Sequence, residues 1–196
     1  MVLSLRQTGA DSVKKPVPPP RDYTQVVESP DKLQLEPIGV IHSPYTERHG
    51  TPRQAGIQGK DRPDAFEAAT VEIDTERVPE KALRDIEGFD RIWLITWLHL
   101  NPKWGPLVRP PRGGVRRGVL ATRSPHHPNP IGLSAVKLER VEGAILHIRG
   151  CDLIDGTPVL DIKPYVPYCD SFPDSRAGWV DELDSMTEDK GKSNAD

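Results

Sequence analysis

Apolar and polar residues alternate with a period of two in several short runs, and that rhythm predicts strands rather than helices. Thr70-Val71-Glu72-Ile73 reads as a half-buried strand, and Pro37 to Ser43 opens the ordered region with another. Ser134 to Val141 alternates, Glu142-Gly143 has turn composition, and Ala144 to Gly150 returns, which together make a hairpin. A second turn, Asp155-Gly156, precedes a strand from Pro158 to Tyr165. Arg91 to Leu98 is nearly continuous in apolar residues and is expected to be a strand buried on both faces. Gly118 to Thr122 is expected to be a further strand running into a proline-rich loop. One helix is expected from Pro79 to Ile86: proline suits a first turn, Ala82, Leu83 and Ile86 share a face, and Gly88 can end it. Many short strands, Gly and Pro turns and one helix predict a mainly β fold, a small barrel or rolled sheet.

The pattern fades at both ends. Residues 1–35 carry Lys14-Lys15-Pro16-Val17-Pro18-Pro19-Pro20-Arg21, a polyproline-type segment expected to sit in a flexible, solvated arm. Residues 174–196 are rich in Asp and Glu, poor in apolar residues, and expected to be a largely disordered tail. The domain is therefore expected over 36–173, long enough to bury a normal core. Met1 to Arg6 develops no apolar centre, so no signal peptide is expected. Ile92 to Leu100 is broken by Thr96 and His99 and is too short to cross a bilayer. Cys151 and Cys169 match no metal spacing and are too few for a disulfide scaffold, which suits a reduced, cytoplasmic setting.

Charge changes the picture more than composition does. The chain has 26 basic and 29 acidic residues, a formal net charge of only −3. Residues 91–138 nevertheless contain eight Lys and Arg (Arg91, Lys103, Arg109, Arg112, Arg116, Arg117, Arg123, Lys137) and no acid. Such a block concentrates positive potential, and an anionic partner such as a phosphate backbone is the natural expectation.

Familiar nucleotide and hydrolase signatures are missing: no G-x-G-x-x-G after a strand, no Walker loop, and no G-x-S-x-G around Ser134. The adjacent pair His126-His127 in a proline loop cannot easily aim at one ion, so no metal is expected. Arg123 stands where a strand runs out into a rigid loop, which is where binding groups are presented. Asp161, Lys163 and Tyr165 share one face of their strand. Trp93 and Trp97 also share a face and are expected to pack in the core, leaving Trp104 as the stacking candidate.

Three segments carry a resemblance to a known family. They are Ile38-Gly39-Val40-Ile41-His42-Ser43-Pro44-Tyr45 with Pro52-Arg53-Gln54-Ala55-Gly56; Gly118 through Thr122-Arg123-Ser124-Pro125 to Pro128-Asn129-Pro130-Ile131-Gly132-Leu133-Ser134; and Asp152-Leu153-Ile154-Asp155-Gly156-Thr157-Pro158 to Tyr165. In this order, over residues 36–172, they resemble the TsaA-like domain family of TrmO-type methyltransferases. The resemblance implies a β-barrel enzyme dependent on S-adenosyl-L-methionine (SAM), acting as a homodimer with its cofactor sites near the interface. It implies methyl transfer to N6 of a threonylcarbamoyl-modified adenosine beside the tRNA anticodon. By position, the cofactor would touch Arg53, Gln54, Leu98, His99, Arg123, Leu133, Asp155, Gly156, Thr157 and Pro158.

For catalysis the expected residues are Arg123, Lys163 and Tyr165, with Lys163, Tyr165 or Asp161 accepting or polarising the N6 proton. Family members often have Arg where His127 stands, and longer ones carry an additional C-terminal domain. Two rival readings stay open: a SAM enzyme with a small-molecule or other acceptor, and a non-catalytic RNA-binding module. Salt dependence would separate RNA from a small acceptor, at roughly one unit of log-log slope per phosphate contact.

Overall fold

The computed structural model describes residues 32–55, 67–101 and 103–183. The polyproline segment 14–21 and residues 184–196 lie outside the described residues. From Leu35 onward the described residues form one structural unit.

Its centre is a closed barrel. The strands are β1 (Gly39–His42), β2 (Ala68–Ile73), β3 (Arg91–Trp97), β4 (Leu107–Val108), β5 (Arg117–Gly118), β6 (Ile131–Glu142), β7 (Ile145–Arg149) and β8 (Pro158–Pro164). Six of them close in the order β1-β2-β7-β6-β3-β8, and β4-β5 form a small separate ladder. Every neighbouring pair in the barrel is antiparallel. Closure removes the exposed sheet edges that so small a β domain would otherwise present.

Alternation sends one side chain in two inward. Ile41, Val71, Ile92, Leu94, Val136, Leu146, Ile148 and Val159 are fully buried and fill the interior. The long β6 serves two partners: its first half pairs with β3 (Ile131 opposite Trp97) and its second half with β7 (Glu142 opposite Ile145). The Glu142-Gly143 bend closes the expected hairpin, with Gly143 at φ 59° as a tight return requires.

Three expectations are corrected. Strand β3 is not buried on both faces, because among the described residues the outside of this single-layer barrel is only partly covered there. Ile92, Leu94 and Thr96 point inward, while Trp97 is 45% exposed on the outside. Trp93 is on the outside too: it donates to Asp170 (3.0 Å) and leans on Tyr165, so neither tryptophan is a core residue.

The expected helix at 79–86 is instead two 3-10 turns, Glu80–Leu83 and Ile86–Gly88, split by Asp85 in the left-handed region (φ 69°). So short a segment cannot recover the cost of nucleating an α-helix, and two turns suffice to pack Leu83 and Ile86 on the core. The expected strand 118–122 is only Arg117–Gly118, followed by a 3-10 turn Val119–Ala121, because its partner β4 has two residues. A short helix α1 (Pro167–Asp170) follows β8, and residues 179–183 are also helical.

Candidate active site

Antiparallel closure gathers the long connections at one rim. There β1, β3 and β7 end, while β2, β6 and β8 begin, so segments 43–67, 98–130 and 150–157 all emerge together. The opposite rim has the 143–144 bend and the 74–90 connection. Ten of the twelve residues assigned above to cofactor contact or catalysis lie on these three segments or the strand ends flanking them, whereas Tyr165 does not. Lys163 also stands apart.

Asp152 is where the segments meet. Its carboxylate accepts from Ser134 Oγ on β6 at 2.6 Å and from the backbone N–H of Ala55, next to Arg53-Gln54. The Arg123 guanidinium is close enough to favour its ionised form. Burial dominates and pushes the carboxyl up from its ordinary value, while the Ser134 hydroxyl, its own amide, the Ala55 amide and Arg123 pull it down. The preceding Cys151 is buried and its thiol is raised to about 12, which makes it a neutral core residue rather than a nucleophile. Asp152 and Ser134 are site residues that reading by motif passed over. The available signal was an acid flanked by apolar residues, outside any turn composition.

The 155–158 turn is tied to the end of β1. Asp155 N–H donates to Tyr45 O (2.7 Å), Gly156 N–H to Ile41 O (2.8 Å), and Ser43 N–H to Asp155 Oδ1 (3.1 Å). Gly156 takes φ 76°, where a side chain would be strained. Thr157 is buried, and its hydroxyl donates to Ile154 O (2.6 Å). Its amides being committed, the turn can offer a ligand acceptors rather than N–H donors. Leu98 is fixed by its N–H to Pro130 O (2.7 Å), which holds the end of β3 against the start of β6.

The Arg123 loop is held by side chains as well as prolines. Thr122 Oγ1 donates to Val119 O (2.8 Å), and Ser124 N–H to Thr122 Oγ1 (3.3 Å). A ring nitrogen of His127 bonds Thr122 O (3.1 Å) and one of His126 bonds Lys103 O (3.3 Å), so both imidazoles brace backbone. Among the described residues no group of His, Cys, Asp and Glu could hold a metal ion. Trp179 Nε1 donates to Ala121 O (2.8 Å) just before this loop, and Arg117 stacks on the Trp179 ring (5.4 Å) and faces Glu182 (3.7 Å).

Lys163 and Tyr165 are not brought to this rim. Lys163 pairs across from Trp93, near the start of β3, and its ammonium binds Asp161 at 2.7 Å. Five residues of strand separate it from Pro158, about 16 Å at the usual rise. A groove of about 440 Å³ flanks the 155–158 turn, lined by His42, Thr70, Glu139, Arg140, His147 and Asp155 among others. Its basic side chains are already engaged, His42 with Glu72 and both Arg140 and His147 with Glu142.

A closed antiparallel barrel with three converging connections at one mouth defines a class of protein quite distinct from doubly wound nucleotide-binding folds. The chain belongs to the tRNA-methyltransferase O N-terminal domain family, whose model matches residues 40–171. It is 42% identical over 156 residues to the tRNA (adenine(37)-N6)-methyltransferase of Escherichia coli K12, covering 76% of this chain and 64% of that protein. It is 44% identical over 155 residues to a probable S-adenosyl-L-methionine-binding protein of Pyrococcus abyssi, covering 78% and 79% respectively. The crystal structure of TrmO from Pseudomonas aeruginosa superimposes with a TM-score of 0.62 at 36% identity, over 76% of this chain and 63% of that one. The chain thus spans just under two thirds of the length of the first and third of these relatives.

Proposed function

We propose that the chain is a SAM-dependent methyltransferase of a tRNA adenine, acting at N6. The single observation that carries this reading is the meeting of segments 53–55, 122–123 and 150–157 around Asp152. The relatives named for tRNA adenine methylation and for SAM binding support it.

The donor set suits the cofactor. A sulfonium and an ammonium call for acceptors, which Asp155 and the turn carbonyls provide; a carboxylate calls for Arg53 or Arg123; and Leu98 and Leu133 supply apolar walls. When bound, the cofactor supplies an electrophilic methyl group. The chain's part is to orient it, exclude water and hold the acceptor nitrogen in line, and positioning of this kind contributes roughly 7–11 kcal/mol.

We further infer a homodimer. On the outer face Trp97 stands opposite Ile131 and Ile95 opposite Leu133, and Trp97, Ile131 and Leu133 are all about half exposed. A second copy packed on this face about a twofold axis with strands antiparallel would bring one copy's Lys163 and Tyr165 toward the other's mouth. There they, or Asp161, take up or polarise the N6 proton. The acceptor we favour is threonylcarbamoyl-modified adenosine beside the anticodon, whose urea-like N6 needs such help. The acid-free block supplies the grip on RNA, which favours a tRNA over a small acceptor.

Arg123→Ala tests the reading. SAM affinity by calorimetry is expected to fall roughly tenfold or more, with the melting temperature little changed. Mass spectrometry of tRNA nucleosides from cells with and without the gene identifies the acceptor. Unaltered binding in Arg123→Ala would remove that residue from the site.

A further inference from the structure

Asp152 lies outside the set of cofactor contacts that the family resemblance implies, yet from its own segment it bonds to β6 and to segment 43–67 and feels the charge of Arg123 in segment 98–130. It holds Ser134 at the start of β6, the Ala55 amide in segment 43–67 and, by charge, Arg123 in segment 98–130. Arg53 and Gln54, two residues and one residue before Ala55, are exposed. Their placement depends on where the chain is pinned.

We propose that Asp152 is a positioning residue for cofactor binding: by fixing Ala55 and Arg123 against Ser134, it sets Arg53-Gln54 and Arg123 at the spacing the ligand requires. This rests on reading the mouth as the SAM site. Without the carboxylate, the ligand itself must order segment 53–55, and affinity drops by that cost.

Stability and binding then depend on pH in opposite directions. The folded-state pKa of Asp152 is raised above 3.8, so the folded chain binds a proton more readily than the unfolded one. Its contribution to stability is fully present below the ordinary value and is lost as pH rises through the raised one. Cofactor affinity instead rises through the same window, because the ionised carboxylate accepts from both Ser134 and Ala55 and balances Arg123. A residue kept for stability alone would not show this opposition.

Other charged groups surround the site. Arg53 and Arg123 supply its guanidinium groups, and the Cys151 thiol stays neutral. The imidazoles nearby are His42 beside Asp155 (3.7 Å), and His126 and His127 beyond Arg123, and their effect must be separated from that of Asp152.

The test measures SAM affinity by calorimetry from about pH 4.5 to about pH 8 on the full chain, its Asp152→Asn variant and its Ser134→Ala variant, together with melting temperatures. Asp152→Asn is expected to melt no lower than the parent, to bind SAM roughly tenfold or more weakly at the upper pH, and to lose the acid limb. Ser134→Ala is expected to weaken binding in part and keep the limb. In the unliganded protein, the Ala55 amide proton shift follows Asp152 in the parent and stops titrating in the variant.

Parent-like affinity in Asp152→Asn overturns the proposal, as does an acid limb that survives there, which belongs to a histidine. If Asp152→Asn does not fold, flat pH dependence in the parent with unchanged binding in Ser134→Ala overturns it equally. A parent that takes up no SAM at any pH overturns the proposed function, whereas a parent that binds alongside an indifferent variant overturns only this inference.

Discussion

Thr96 sits at the bottom of the mouth with its side chain fully buried, and its hydroxyl has no hydrogen-bond partner among the described residues. Gly132 faces it across the β3-β6 ladder, and a Cβ there would collide with that hydroxyl and crowd Leu98. The glycine is therefore required by close approach, not by backbone angle. An unpaired buried hydroxyl costs about 1–3 kcal/mol, so Thr96→Val is expected to raise the melting temperature. Gly132→Ala is expected to lower it, by roughly 1–3 kcal/mol of overpacking, with a matching loss in how Leu98 is held. Thermal denaturation of both variants checks the pair. A lower melting temperature in Thr96→Val would mean that the hydroxyl is satisfied in solution. Asp152 belongs to the same scale: burial of a carboxylate arises only when distant segments fold onto it, which is why no local pattern around residue 152 marks it.

Among the elements, the helical turn at 179–183 does more than its acidic composition implies. Trp179 bonds Ala121 O and takes the Arg117 guanidinium on its ring, and Leu183 reaches Gly113. Trp179→Ala is expected to speed amide exchange across residues 117–123 and to weaken SAM binding several-fold through Arg123, while exchange in β2 and β7 stays as before. Hydrogen-exchange mass spectrometry reads this directly, and unchanged exchange at 117–123 would show that the contact carries no weight. The sequence reading started its acidic tail at residue 174, because a turn of helix anchored by one tryptophan has no periodicity to see.

The β6-β7 hairpin was legible for the opposite reason. Alternation on both sides of Glu142-Gly143 and the turn itself pointed to the pairing, though not to the shift in register between Leu138 and Arg140. By contrast, β4-β5 is two residues a side: β4 went unread, and the strand expected at 118–122 shares only Gly118 with β5. Strand β3 was legible as a strand but not in its burial, since its outer residues are as apolar as its inner ones.

At the scale of the whole molecule, that same apolar exterior predicts assembly. Leu133→Glu places a charge in the middle of the band formed by Trp97, Ile95 and Ile131, and is expected to turn a dimer into a monomer in analytical ultracentrifugation. If Lys163 and Tyr165 serve the neighbouring copy, methyl transfer falls with it. A monomeric parent would refute the shared site outright. The strand pattern left a small barrel and a rolled sheet both open, and which loops would share a mouth depended on the strand order β1-β2-β7-β6-β3-β8, which is set by long-range pairing.

The stacking of Arg117 on Trp179, with Glu182 nearby, bears on how tightly this surface can embrace a polyanion. A guanidinium occupied by its own chain releases no condensed counter-ion when nucleic acid arrives. Formal valence over residues 91–138 therefore overstates the thermodynamic stickiness of that face, and fewer sodium ions should be liberated on complex formation than its eight cations suggest.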